Sequence, residues 1–121
     1  MNSVNGKRCF LSGPMSDDPL THHVHAFVDA HMLLNAMGAK DVYDPAVEWL
    51  RWHGPNRTHS EWMRDCVNEL TAPSFDNPDE RYWDVLVSLP GWQGSAGATT
   101  ERNVAMACGI ECIDLDELHD E

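Results

Sequence analysis

Basic side chains are scarce in this chain, with 8 Lys and Arg against 20 Asp and Glu in 121 residues, a net charge of −12. Such a surface repels a phosphate backbone instead of gaining counterion-release energy from it, which argues against duplex nucleic acid as a partner. Long apolar runs are missing as well. The N-terminal "MNSVNGKRCFLSGPM" lacks the apolar core of about 7 to 15 residues that a signal peptide needs, and no segment approaches the roughly 20 residues that span a bilayer. The expectation is a soluble, unprocessed chain with no membrane partner. Cysteine is sparse and unpaired in pattern: Cys9, Cys66, Cys108 and Cys112 form no C-x-x-C unit. Cys9 and Cys108 sit in apolar segments, where a thiol packs as a small hydrophobe. This composition predicts a reduced, cytoplasmic protein. Internal repeats and low-complexity segments are also lacking, and a chain of this length folds as one domain over residues 1–121 without disulfide or metal.

What is present is a regular alternation of apolar runs and helical periodicities. "RCFLSGPM" reads as a strand closed by Gly13-Pro14. From Thr21 a helix carries Val24, Phe27, Val28, His31, Leu34 and Met37 at three- and four-residue spacing, with Gly38 as its stop. "DVYDP" is a second short strand ended by Pro45. Glu48 to Arg57 reads as loop with one helical turn. A helix from about Ser60 to Leu70 takes Ser60 as N-cap and packs Trp62, Met63, Cys66, Val67 and Leu70. "TAPSFDNPDERY", residues 71–82, is a polar surface insertion. "DVLVSLPGW" is continuously apolar, as a strand buried on both faces must be. A helix from about Ala98 to Cys108, stopped by Gly109, then "IECIDL" and an acidic tail over 116–121, complete the chain. The order predicts an α/β Rossmann-like, flavodoxin-like sandwich of about four mostly parallel strands, helices on both faces and right-handed crossovers.

Glu101 stands out in this frame. Val104, Ala105 and Cys108 follow it by three, four and seven residues, so it shares their inward face. A buried carboxylate needs a partner or a cavity, and a place in the first helical turn would supply favourable amides and dipole. The preceding "GWQGSAG" sets Gly91, Gly94 and Gly97 around Ser95, either a loop through which backbone and hydroxyl approach an anionic ligand or an ordinary N-cap in a glycine turn. Trp92 stacks on a base or packs. "THHVHAF" places His22, His23 and His25 near a helix start, but no Cys pair of ligand spacing accompanies them, and no metal is expected. Cys108 and Cys112 read as core.

"FLSGPM", "WMRDCVNEL" and "DVLVSLPGWQGSAGATTERNVAMACGI" together resemble the nucleoside 2-deoxyribosyltransferase superfamily, in particular its short branch with the LSGPM…LPGW..S.GA..E pattern, over about Arg8 to Leu115. The resemblance implies that Glu101 attacks C1′ of a (deoxy)ribose and forms a glycosyl ester, the logic of a retaining glycosidase. Asp65 of "MRDC" matches the second carboxylate. Ser95 lies six residues before the nucleophile, where the transferases carry an aspartate for the 5′-hydroxyl and the related 5′-monophosphate N-glycosidases carry a serine for phosphate. The expected function is therefore N-glycosidic hydrolysis of a (deoxy)nucleoside 5′-monophosphate, with base exchange between nucleosides and a non-catalytic nucleotide sensor as the alternatives. Gly13 and Met15 would shape the sugar and base pocket. Phe10 stands where the superfamily commonly has a tyrosine that orients the nucleophile. No cofactor is implied, and a homo-oligomer, dimer or larger, is expected.

Overall fold

The structure, a computed structural model, describes residues 3–14, 22–51 and 58–118. Four strands, β1 (Arg8–Ser12), β2 (Asp41–Tyr43), β3 (Val85–Ser88) and β4 (Glu111–Asp114), form one all-parallel sheet in the order β2-β1-β3-β4. The helices are α1 (His22–Ala36), α2 (Pro45–Arg51), α3 (His59–Leu70) and α4 (Ala96–Ala107). This is the α/β Rossmann-like architecture that the alternation of elements predicts.

The pleat assigns the two faces. Cys9, Leu11, Val85, Val87 and Ile113 point to the side where Phe27, Ala30 and Leu34 of α1 pack. Phe10 and Leu86 point to the other, against Leu70 of α3 and Ala105 of α4. The chain moves from β1 to β2 in one direction and from β3 to β4 in the other. Crossovers of one hand then put α1 and α4 on opposite faces, as observed. The direction changes between β1 and β3, so the topological switch point lies at the carboxyl ends of those two strands.

Several boundaries differ from the sequence reading, each for a local reason. Residues 45–51 form a helix rather than loop with a single turn. Asp44 caps it, its Oδ1 accepting from the Ala46 and Val47 amides at 3.0 and 3.4 Å, and Pro45 occupies the first helical position, where its missing N–H costs nothing. The cap of α3 is Thr58, not Ser60. Thr58 and Glu61 each accept the other's backbone N–H at 3.1 Å, a reciprocal box that Ser60, with Met63 three residues on, cannot form. In α1 the inward residues include Ala30, whereas Val28 is exposed. Cys108 is exposed at the end of α4, not core, while Cys9 and Cys66 are buried. Residues 115–117, placed partly in the frayed tail, form a 3-10 turn whose Asp114 and Glu117 cap one another; residues 119–121 lie outside the described part, as do 52–57. The 71–82 insertion is a surface excursion closed by a single antiparallel bridge between Pro73 and Arg81.

Gly13 closes the end of β1 against β3. A Cβ there would meet the Leu89 Cβ at 2.7 Å, an atom too close to the backbone to swing aside. Gly13→Ala should therefore cost about 1–3 kcal/mol through overpacking, read as a lower urea midpoint; a midpoint equal to wild type would show that this strand end relaxes freely.

Candidate functional site

The last inward residues of the strands on the α3/α4 face are all polar. Ser12, Ser88 and Asp114 stand side by side in the sheet register and form a hydrophilic row along the carboxyl edge, across the switch point. α4 lies over this row and sets two consecutive side chains against it.

Glu101 reaches β1. It is 6 % exposed, lies on the inward face of α4 with Ala98 and Ala105, and accepts a hydrogen bond from Ser12 Oγ at 2.7 Å. The thiol of Cys66, buried on α3, faces the carboxylate and helps to stabilise its anion. Tyr43 Oη lies 4.0 Å beyond that thiol. Glu101 is the sixth residue of α4, whose N-cap is Ser95, so it lies in the second turn and not the first. The helix dipole fades within one turn, and burial dominates: desolvation pushes the Glu101 carboxyl up to about 7 even though Ser12 and Cys66 stabilise its anion. Burial and the Glu101 charge push the Cys66 thiol up in turn, so it remains a donor.

Arg102 reaches β3 and β4. Its Nη1 donates to Ser88 Oγ and to Asp114 Oδ1, each at 2.8 Å, and its guanidinium lies 4.3 Å from the centre of the Trp92 ring. Trp92 Nε1 donates to the same Asp114 oxygen at 3.1 Å. The Trp92 indole is thus engaged by protein on one face and at its N–H, which fits packing better than base stacking. Sequence reading missed Arg102, Ser12, Ser88 and Asp114. The available signal was the polar residue ending each apolar strand, in "CFLS", "VLVS" and "CID".

The other expected site residues are distributed around this centre. Ser95 is half-buried and caps α4, its Oγ accepting from the Ala98 amide at 3.2 Å. A hydroxyl that accepts in this way keeps its own proton to donate. Gly91 holds φ 87°, a conformation that suits glycine, whereas Gly94 is exposed with open space where a Cβ would stand. Gly97 lies in the first turn of α4. Phe10 is fully buried, stacked on Tyr43 with ring centres 4.5 Å apart. Asp65 is exposed on α3, beside Cys66. α3 and α4 share one face of the sheet, so both carboxylates stand on that side, and a cleft of about 560 Å³ between the two helices is lined by Asp65 and by Thr100, the neighbour of Glu101. A second cavity of about 580 Å³, lined by Asp65, Trp62 and Tyr43, opens toward β2. Met15 and the side chains of His22 and His23 lie outside the described part; His25 is exposed on α1. Among the described residues no three His, Cys, Asp or Glu are grouped to hold a metal, and no helix is long and apolar enough to cross a membrane.

No curated protein and no solved structure matches the chain. Its residues 7–114 match the model of a family described as a domain of unknown function, DUF4406. That match spans both carboxylates, the polar row and all four strands, and the chain belongs to the DUF4406 family.

Proposed function

We propose that the protein is an N-glycosidase that hydrolyses the base–sugar bond of a (deoxy)nucleoside 5′-monophosphate. The observation that carries this reading is Glu101: a buried carboxylate at the switch point of a parallel sheet, whose partners among the described residues are a hydroxyl and a thiol and not a cation. Burying a carboxylate without a compensating positive charge is costly, and carboxyl groups held in this way are characteristic of reaction centres. The likeness of the "SAGATTE" block to the nucleoside 2-deoxyribosyltransferase superfamily supports the identity of the reaction.

In the proposed sequence a Glu101 oxygen bonds to C1′ as the C1′–N bond breaks. The bond's electron pair passes to the base nitrogen, which takes a proton from the acid, here assigned to Asp65. Water, giving its proton back to that group, then displaces the ester oxygen at C1′, releasing the sugar 5-phosphate and restoring Glu101. Ser95 and the amides at the start of α4 would receive the phosphate, because a hydroxyl and N–H groups accommodate an anion that a carboxylate would repel. Gly13 and Met15 would shape the sugar and base pocket. The same resemblance supports a homo-oligomer, a dimer or larger, and the scattered cysteines support a cytoplasmic location.

The test is incubation with a panel of ribo- and deoxyribonucleoside 5′-monophosphates, with free base measured by chromatography. Release by wild type and none by Glu101→Ala is the expected outcome, and Asp65→Asn should lose about 10²–10⁴-fold of the rate. Exchange of an added free base into product, with nucleosides preferred, would favour the transferase. Binding without release of base from any compound would favour the sensor, the reading to which the absent hydroxyl at Phe10 lends weight.

A further inference from the structure

The family resemblance assigns Ser12 no role, yet its hydroxyl is hydrogen-bonded to Glu101 at 2.7 Å. We propose that Ser12 is the positioning residue of Glu101: its hydroxyl holds Oε1 and so leaves Oε2 as the oxygen that meets the ligand.

Three observations support this. First, Ser12 is 1 % exposed, and a buried hydroxyl must find a protein partner; its bond to Glu101, at 2.7 Å, falls in the short range typical of a hydroxyl on an ionised acceptor. Second, the donor cannot follow a swinging carboxylate. Ser12 is paired with Ser88 in the sheet, and its carbonyl accepts from the Leu89 amide at 2.8 Å, so the hydroxyl has a fixed origin. Third, the remaining neighbours do not compete for the same oxygen with equal strength. The Cys66 thiol, facing Glu101 from α3, is a weak donor; Asp65 stands beside it, exposed. Tyr43, from β2, reaches only the thiol. Arg102, the adjacent cation on α4, is turned away onto Ser88 of β3 and Asp114 of β4. The hydroxyl from β1 is therefore the one strong, rigid contact the carboxylate makes among the described residues.

The consequence for base release rests on the glycosidase reading, while the orientation of Glu101 stands on the geometry alone, and two measurements separate them. The first is an NMR pH titration of the ¹³C-labelled Glu101 carboxyl carbon in wild type, Ser12→Ala, Ser12→Thr and Cys66→Ala. Loss of the Ser12 donor should raise the midpoint by roughly one pH unit, more than loss of the thiol does, and Ser12→Thr should restore it. The second is steady-state base release from the best monophosphate. Ser12→Ala should lower kcat about 10- to 100-fold with KM within about threefold, because a misdirected nucleophile loses rate and not binding. A midpoint in Ser12→Ala equal to wild type would overturn the proposal, as would an equal change in Ser12→Thr, since that would make the hydroxyl irrelevant. If wild type releases no base, the glycosidase reading fails, and the titration still decides the role of Ser12.

Discussion

Glu101→Gln should abolish base release and make the protein more stable above pH 7. The two effects have one origin. The carboxyl is pushed up from 4.5 to about 7 by burial, so the folded state holds its proton more tightly than the unfolded chain does. For an acid shifted upward the sign is fixed: the fold is at its best with Glu101 protonated, loses stability as pH rises from about 4.5 to 7, and bears the full cost above that. At about 1.4 kcal/mol per pH unit, the rise corresponds to about 3 kcal/mol. Glutamine keeps an oxygen for the Ser12 hydroxyl and removes the charge, though its amide group needs an acceptor that the carboxylate did not. A net gain of about 1–3 kcal/mol at pH 8, vanishing by pH 4, is expected in urea unfolding. The same change removes the proposed nucleophile, and on that proposal base release should fall by about 10⁴-fold or more. In wild type, release should rise with pH through about 7 as the carboxylate forms, the acid limb reporting Glu101. A variant no more stable than wild type at pH 8 would mean that the charge is already compensated, and the case for a reaction centre at this helix would go with it.

That trade of stability for a charged group also explains what could be read from sequence and what could not. The strands and helices were legible because period and punctuation agree locally. "DVLVS" is apolar on both faces, the α1 stripe of Phe27 and Leu34 ends at Gly38, which sits at φ 88°, and these signals suffice to give an alternating α/β chain with a mostly parallel sheet. The helical period also placed Glu101 inward, since three- and four-residue spacing is a property of one helix. Its depth in the helix was misjudged because α4 is capped by Ser95 and starts at Ala96, two residues before Ala98, the first alanine taken as helical. The α2 helix was obscured by Trp49 and by Pro45, although Asp44, Pro45 and Glu48 together spell an N-cap, a first-turn proline and an acidic residue near the helix start. What was not legible is everything that depends on register. That Ser12, Ser88 and Asp114 align across three strands, and that Arg102 bridges two of them, follows from pairing between residues as far apart in the chain as Ser12 and Ser88. No local pattern encodes that pairing. Cys66 is the intermediate case: its burial follows from the α3 stripe, but its influence on Glu101 requires the packing of α3 on α4.

Phe10→Ala should be the most damaging single change to the fold. Phe10 is completely buried at the centre of the sheet, with its ring stacked on Tyr43 at 4.5 Å and 11° and meeting Trp83 edge-on at 6.0 Å and 78°. The stack joins β1, β2 and the segment leading into β3, so the ring fills a space that three separate parts of the chain enclose. Truncation to alanine removes its apolar contacts and leaves a hollow that the paired strands cannot collapse to fill, at a cost of about 3–5 kcal/mol. Against the roughly 5–15 kcal/mol that holds a domain of this size, this is about a fifth of the total or more, and the thermal midpoint should fall by roughly 10–20 °C. Phe75 is the matched control. It too touches the aromatic group, edge-on to Tyr82 at 5.8 Å, but it is 94 % exposed in the 71–82 insertion, and Phe75→Ala should change stability by less than about 0.5 kcal/mol. The damage at Phe10 has a second route, because the Tyr43 hydroxyl meets Cys66 and the Cys66 thiol stabilises the Glu101 anion. Loosening the stack should therefore also blur the Glu101 titration, which Phe75→Ala would leave untouched. Equal losses at the two phenylalanines would show that the aromatic stack is not what anchors β2, and the rigidity assigned to the Glu101 surroundings would need another source.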